Sequence, residues 1–429
     1  MPSIITSKWR YPRYPVGMYP RHVRPTVAGA LIDTPAVMVV GARQVGKSTL
    51  VRTIRPEPYV TLDTATTRAG ATTDPDGFVA GLPSPVALDE VQRVPELFLA
   101  IKAAIDARRT PGQFLLTGSA DALALPRVAD ALPGRMEVIE LWPLSQGEIE
   151  GQVDGFVDAV FAEDLKQLGS PATDSSALLD RILRGGFPEV VARSPQRRAA
   201  WHDAYLTAVV DREVRDVAEI GNVAELTFMV RLIAARTGAL FNLADVARGA
   251  GLSHSTARRY LGILRAVFLV VELPSWSTSL TTRLVKAPKM MLADSGLAAH
   301  VLGVDRARLE ADPLLLGGLL EGFVAMELRK QLTWSARTLR LSHFRHRQGH
   351  EVDLVLEDRG GEIVGVEVKA SATVTSSDFR GLRLLADVAG PRFRRGVVLY
   401  GGADTVGFGE RLMALPLTAL WTANRERPV

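Results

Sequence analysis

Eight residues, Gly41-Ala42-Arg43-Gln44-Val45-Gly46-Lys47-Ser48, follow directly on the apolar run Ala36-Val37-Met38-Val39-Val40. That order of residue types suits the binding of a phosphate chain. Glycines let the backbone curl so that successive N–H groups face anionic oxygens, a lysine reaches the outer phosphates, and a serine hydroxyl ligates Mg²⁺. Thr49-Leu50-Val51-Arg52 then reads as the start of a helix whose positive end adds to the field. The motif assigns Gly41, Ala42, Arg43, Gln44, Val45, Gly46, Lys47, Ser48 and Thr49 to a nucleoside triphosphate. ATP and Mg²⁺ are the expected cofactors, with Lys47 acting on the outer phosphates and Ser48 on the metal.

Hydrolysis needs an acid on the metal side and a group that orients water. Pro85-Val86-Ala87-Leu88-Asp89-Glu90 is an apolar strand that delivers two acids at its end. Asp89 is expected to hold the Mg²⁺ shell and Glu90 to polarise the attacking water; the plainer alternative is a helix cap. Phe114-Leu115-Leu116-Thr117-Gly118-Ser119 is a further strand ending in hydroxyls. Thr117 or Ser119 is placed to sense the γ-phosphate or the water, or else to cap a helix. Two arginines are candidates for charge stabilisation: Arg135, which follows Leu132-Pro133-Gly134, and Arg184, which precedes Gly185-Gly186-Phe187-Pro188. Each is equally readable as a structural arginine.

The phosphate loop, Leu88-Asp89-Glu90-Val91-Gln92, Thr117-Gly118-Ser119 and Gly185-Gly186-Phe187-Pro188 together resemble a bacterial and archaeal group of AAA-type ATPases. In that group the C-terminal half is a domain of unknown function with restriction-endonuclease-like character. The likeness extends over nearly all of the chain after about residue 17. It implies that Gly186-Phe187-Pro188 is a lid motif sensing base and phosphates, which brings Pro188 into the nucleotide site.

A second constellation lies near the C-terminus. Glu351-Val352-Asp353-Leu354-Val355-Leu356-Glu357 and Ile363-Val364-Gly365-Val366-Glu367-Val368-Lys369 both alternate, as half-buried strands do, and flank Arg359-Gly360-Gly361. Val352, Leu354 and Leu356 are expected on one face, with Glu351 and Asp353 on the other. An antiparallel hairpin sets Asp353 opposite Glu367 only if the turn is centred on Gly360, which requires a three-residue loop with a left-handed glycine. An acid facing acid-x-lysine resembles the PD-(D/E)XK nucleases. That resemblance implies Asp353 and Glu367 as Mg²⁺ ligands and Lys369 as the partner of the nucleophilic water. Glu321, on an amphipathic helix expected over Leu319 to Leu332, completes the acid set. The plainer reading is a charged solvent face on an edge hairpin.

These residues need elements to hold them. Residues 1–30 read as an N-terminal strap, 31–155 as a P-loop ATPase core, 156–240 as a helical lid, 241–283 as a winged helix and 284–429 as the nuclease-like domain. The fold class is α/β: a P-loop NTPase core with helical lid and winged helix, followed by a restriction-endonuclease-like α/β domain. In the winged helix Leu243-Ala244-Asp245-Val246-Ala247 leads through Gly251-Leu252-Ser253 to a second helix over His254 to Leu264, and Val267 to Leu273 is the wing. Arg248, His254, Arg258, Arg259 and Arg265 suit DNA phosphates, though the same module also serves as a lid or bridge. Asp294 is expected to cap a helix beginning at Ser295. His343, His346 and His350 are read as a solvated strand and turn.

The chain has 429 residues, 47% hydrophobic and 23% charged, the balance of an ordinary globular protein of two or three domains. Its 51 Lys and Arg against 47 Asp and Glu leave a net charge of +4, which permits nucleic acid, DNA above all, as a partner. The absence of cysteine excludes disulfides, thiolate catalysis and Cys-ligated zinc. Met1 to Pro20 is rich in Pro, Tyr and basic residues and lacks the apolar centre of a secretory signal, and no apolar run reaches the roughly 18 residues of a membrane span. The expected location is cytoplasmic, with no membrane contact and with a protein partner or self-association left open.

Overall fold

Five short apolar runs pair into one parallel sheet: β1 (Ala36–Val40), β2 (Tyr59–Thr61), β3 (Val86–Asp89), β4 (Phe114–Gly118) and β5 (Met136–Glu140), in the order β2-β3-β4-β1-β5. A parallel sheet is covered on both faces, so its strands need no alternation; β1, β3 and β4 are buried at every position. The coordinates are a computed structural model describing residues 18–423 apart from 56, 119–133, 164–174, 211–222, 280, 282, 284, 285 and 348. Ser119 and most of the strap lie outside the described residues.

After the sheet the chain turns helical, over Ser175–Arg184, Pro188–Val191, Pro195–Ala208 and Val223–Ala234. Leu243–Gly249 and His254–Ala266 follow as the helix-turn-helix, capped by Asn242 and Ser253. Its strand β6 (Val270–Leu273) pairs antiparallel with β7 (Lys289–Leu292), so the two-stranded ribbon crosses the boundary expected between residues 283 and 284.

The C-terminal unit is a six-stranded sheet of β8 (Leu339–Arg345), β9 (Glu351–Asp358), β10 (Ile363–Lys369), β11 (Phe393–Tyr400), β12 (Val406–Gly407) and β13 (Leu412–Pro416), in the order β12-β13-β11-β10-β9-β8. The β8–β9 and β9–β10 pairs are antiparallel, whereas β10–β11 and β11–β13 are parallel. Helix Arg380–Ala389 packs on one face, where Gly365 and Gly396, paired across β10 and β11, leave room for Leu382.

The helix expected over Leu319 to Leu332 begins earlier, at Pro313, with Asp312 accepting from the Leu315 N–H. Gly317 and Gly318 obscure its first turns in the sequence, yet at Gly318 a Cβ would stand 2.8 Å from the Thr237 carbonyl oxygen, a close approach that favours glycine. Nor is it amphipathic over its second half: Phe323 to Leu328 are all buried because this helix is shared by both units. Glu327 accepts from the Gln146 N–H, Lys330 donates to the Leu144 carbonyl, and Gln331 accepts from the Val157 N–H. Buried polar groups so matched tie this helix to the segment that follows β5. Among the described residues no helix is long and apolar enough to cross a membrane.

Candidate functional site

All five strands of the first sheet run the same way, so β1, β3 and β4 end at one edge. The phosphate loop leaves β1 there. Gln44 (φ 61°) and Gly46 (φ 98°) carry it through left-handed backbone. A Cβ on Gly41 would meet the Leu141 carbonyl oxygen at 2.1 Å. Lys47 is buried inside the loop and donates to the Gly41 and Ala42 carbonyls at 2.9 and 3.0 Å.

Because β4 lies between β1 and β3, Thr117 sits beside both acids. Its hydroxyl donates to Asp89 Oδ1 and accepts from the Glu90 N–H at 3.0 Å. Thr117 therefore positions the acids instead of capping a helix. Ser48 Oγ donates to the same Asp89 oxygen at 2.8 Å. Glu90 adopts φ 60°, rare for a non-glycine residue and concentrated at functional sites, and its carboxylate is held by the Gln92 amide. Tyr59 on β2 lies near Asp89; burial and that carboxylate push its hydroxyl up to about 12. A Mg²⁺ bound with phosphates keeps few protein ligands, and the paired Ser48 hydroxyl and Asp89 carboxylate fit it.

A cleft beside the loop is lined by Met18, Tyr19, Gly46, Thr49, Leu144 and Pro188, which brings the Gly-Gly-Phe-Pro stretch to the phosphate loop. Arg21, absent from the sequence reading, lines it too. Its guanidinium donates to the Val45 carbonyl at 2.7 Å and the Trp142 carbonyl at 2.6 Å, and pairs with buried Glu148 at 3.1 Å. Burial works to raise the Glu148 carboxyl, but Arg21, His22 and two backbone N–H groups hold it below the ordinary range. Strap residues next to a loop carry little signal in sequence.

The two arginine candidates are elsewhere. Arg135 precedes β5, whose start aligns with the start of β1, so it lies at the edge of the sheet away from the phosphate loop, paired with Asp106 at 2.6 Å. In cis it is out of reach of the nucleotide. Arg184 does not line the cleft and donates to the Gln146 side chain at 2.9 Å.

In the C-terminal sheet, Ile363 pairs with Glu357 and Val366 with Leu354, a register centred on Gly360. Asp358 and Glu362 close a three-residue loop in which Gly361 has φ 84°. Asp353 and Glu367 consequently fall opposite each other. There the ladder parts, and Asp353 Oδ2 accepts the Val368 N–H at 2.9 Å. The expected alternation fails at one point: Val352 packs with Val355 and Leu382, apart from Leu354 and Leu356. Between the pairs Ser342–Val355 and Phe344–Val352 β8 advances two residues and β9 three, so β9 carries an extra residue there, and a bulge re-aims the side chains of the strand that carries it.

Glu321 joins these acids through a residue the sequence reading missed. Lys289 on β7, 1% exposed, donates to Glu321 Oε1 at 2.7 Å and lies 3.8 Å from Asp353 Oδ1. Lys369 Nζ lies 2.8 Å from Glu367 Oε1. Two buried acids and the part-buried Glu321 thus face two ammonium groups. Burial and Asp353 push Glu321 up to about 8 against the pull of Lys289, and burial and Asp353 push Glu367 up to about 8 against Lys369. Burial works to lower Lys289, but Glu321 and Asp353 hold it above its usual value. The expected Mg²⁺ set of Glu321, Asp353 and Glu367 does not fit an ion as it stands. Among the described residues no three His, Cys, Asp or Glu side chains are spaced to hold one.

His343 is buried, not solvated; its ring donates to the Ala287 carbonyl, and burial with Lys289 nearby lowers it to about 4. His346 and His350 form the turn beyond it. On the helix-turn-helix, His254, Arg258 and Arg259 are exposed, while Arg248 and Arg265 pair with Asp245 and Glu272.

Residues 33–150 match the model of an AAA domain, 175–308 that of a domain of unknown function (DUF8612) and 316–420 that of another (DUF4143). The chain is 32% identical over 405 residues to the uncharacterized proteins Mb2031c of Mycobacterium bovis and Rv2008c of Mycobacterium tuberculosis, covering 92% of this chain and 83% of each of them. Among solved structures, a Walker-type ATPase of Pyrococcus abyssi is 14% identical, covering 65% of this chain and 94% of its own, with a TM-score of 0.42.

Proposed function

The chain belongs to the family of the mycobacterial proteins Mb2031c and Rv2008c, with a P-loop ATPase of AAA type at its N-terminal end, and we propose that it is an ATP-driven switch that handles nucleic acid. ATP binds across the phosphate loop and the cleft walled by Tyr19, Leu144 and Pro188. Lys47 exchanges its bonds to the Gly41 and Ala42 carbonyls for phosphate oxygens. Ser48 and Asp89 would hold Mg²⁺, which when bound would offset charge developing on those oxygens. Glu90, aligned by Thr117 and Gln92, takes the proton of the attacking water.

The observation that carries the coupling is the Asp294 carboxylate. Oδ2 accepts the Gly186 N–H at 2.7 Å while Oδ1 caps the next helix at Leu297. Gly186 leads to Pro188 in the nucleotide cleft, and Asp294 follows β7, which carries Lys289. Movement of the cleft wall therefore reaches both the ribbon and the C-terminal acids. His254, Arg258 and Arg259 supply the phosphate contacts. The test is nucleic-acid affinity with ATP, ADP and no nucleotide. Asp294→Ala is expected to abolish the nucleotide dependence while phosphate release continues. An unchanged dependence would remove the proposed link.

Cleavage is the second reading, favoured by the facing Asp353 and Glu367 with Lys369 two residues on. Labelled single-stranded, duplex and branched DNA, and RNA, incubated with Mg²⁺ or Mn²⁺, decide it. Cutting lost in both Asp353→Ala and Lys369→Ala would establish it. No cutting with ATPase activity intact would leave a binding unit.

A further inference from the structure

We infer that Lys289 is the resident cation of the C-terminal acid cluster, and that the assembled cluster excludes a divalent metal. Glu321 comes from a helix and Asp353 from β9, so the place between them is where a bridging ion would have to sit. The Lys289 ammonium is already there, bonded to Glu321 and within ion-pair reach of Asp353. Mg²⁺ needs oxygen ligands at about 2.0–2.1 Å in octahedral array, and an amine at that point denies it the approach.

Lys289 is also held at both sides of its backbone. It pairs with Leu273 across the ribbon and bridges to Leu240, while the Phe241 N–H bonds the Pro288 carbonyl. Gly238 leaves room for the Glu321 carboxylate, since a Cβ there would stand 2.8 Å from its Oε2. On the far side Lys369 holds Glu367 Oε1, and Glu367 Oε2 is buried without a hydrogen-bond partner. With the amine removed, the same carboxylates surround an open, negatively charged position of the kind a hard cation fills. The inference goes beyond the switch reading, stands whether or not the chain hydrolyses ATP, and is incompatible with the metal-dependent cleavage of the second reading.

Mn²⁺ binding to the nucleotide-free full chain, counted by electron paramagnetic resonance of the free ion, tests it. In the unsubstituted protein, Asp353→Asn is expected to change nothing, because no Mn²⁺ sits at the cluster. Lys289→Met is expected to gain one Mn²⁺ per chain, and Lys289→Met with Asp353→Asn to lose it again. Mn²⁺ bound by the unsubstituted protein and lost on Asp353→Asn alone would overturn the inference, and this arm needs no variant of Lys289. A folded Lys289→Met chain with no added Mn²⁺ would overturn it equally.

Discussion

The two acid sites of this molecule are built on the same parts and held in opposite ways. Asp89, at the end of a parallel strand, is gripped by the hydroxyls of Ser48 and Thr117. Asp353, Glu367 and Glu321 meet two lysines. Hydroxyl donors orient a carboxylate without cancelling its charge, so it retains its attraction for a metal; an ammonium cancels that charge and takes the ion's place. What a buried acid does is set less by the acid than by its partner.

The contrast is most easily broken at Lys289. Lys289→Met leaves buried carboxylates without a counter-charge and is expected to cost about 3–5 kcal/mol of stability, whereas Asp89→Asn is expected to cost at most about 1 kcal/mol. Urea titrations of both variants measure this, and equal losses would erase the distinction. At the other site the effect falls on rate. Glu90→Gln is expected to lower turnover about 10²–10⁴-fold with ATP still bound, and Lys47→Ala to weaken binding as well. Phosphate release and fluorescent-nucleotide titration separate the two.

A buried base with no hydrogen-bonded counter-charge sharpens the rule. His202, buried against Phe187 and His300, has no hydrogen-bond partner at either ring nitrogen among the described residues, and burial lowers it to about 4 against the opposing pull of Asp294 and Asp203. Unfolded, it titrates near 6.5. Between those values the unfolded chain holds a proton that the native chain refuses. Stability should therefore fall as pH drops from 6.5 toward 4, by on the order of 3 kcal/mol at the limit. His202→Phe should flatten that limb of the denaturation profile, and an unaltered slope would point to other groups. Smallest is Thr117→Val, which keeps shape and removes the bonds to Asp89 and Glu90. Loss of about tenfold in turnover with little change in nucleotide affinity is expected; no change in turnover would demote Thr117 to packing.

Much of the first sheet was legible because its signals are local. The strands β1, β3 and β4 lie within one residue of the runs that announce them, and the phosphate loop needs only neighbours in sequence. The Asp353–Glu367 register was legible too, since a three-residue glycine loop leaves one centre of pairing. Three things were not. The bulge that displaces Val352 shows only in the pairing of β9 with β8, the early start of helix Pro313–Leu332 hid behind two glycines, and only strand direction sets Arg135 at the edge away from the phosphate loop of its own chain.

By itself the sequence determined where a phosphate chain is expected and which residues would meet it, because curl, charge and hydroxyl are supplied within one stretch of backbone. Only the tertiary structure decided the state of the second site. Lys289 reads as an ordinary lysine at the start of a strand, and it becomes the counter-charge of Glu321 and Asp353 only when the ribbon and the long helix close over it. A buried charge must find its opposite wherever in the chain that lies, and spacing in sequence carries no record of the choice.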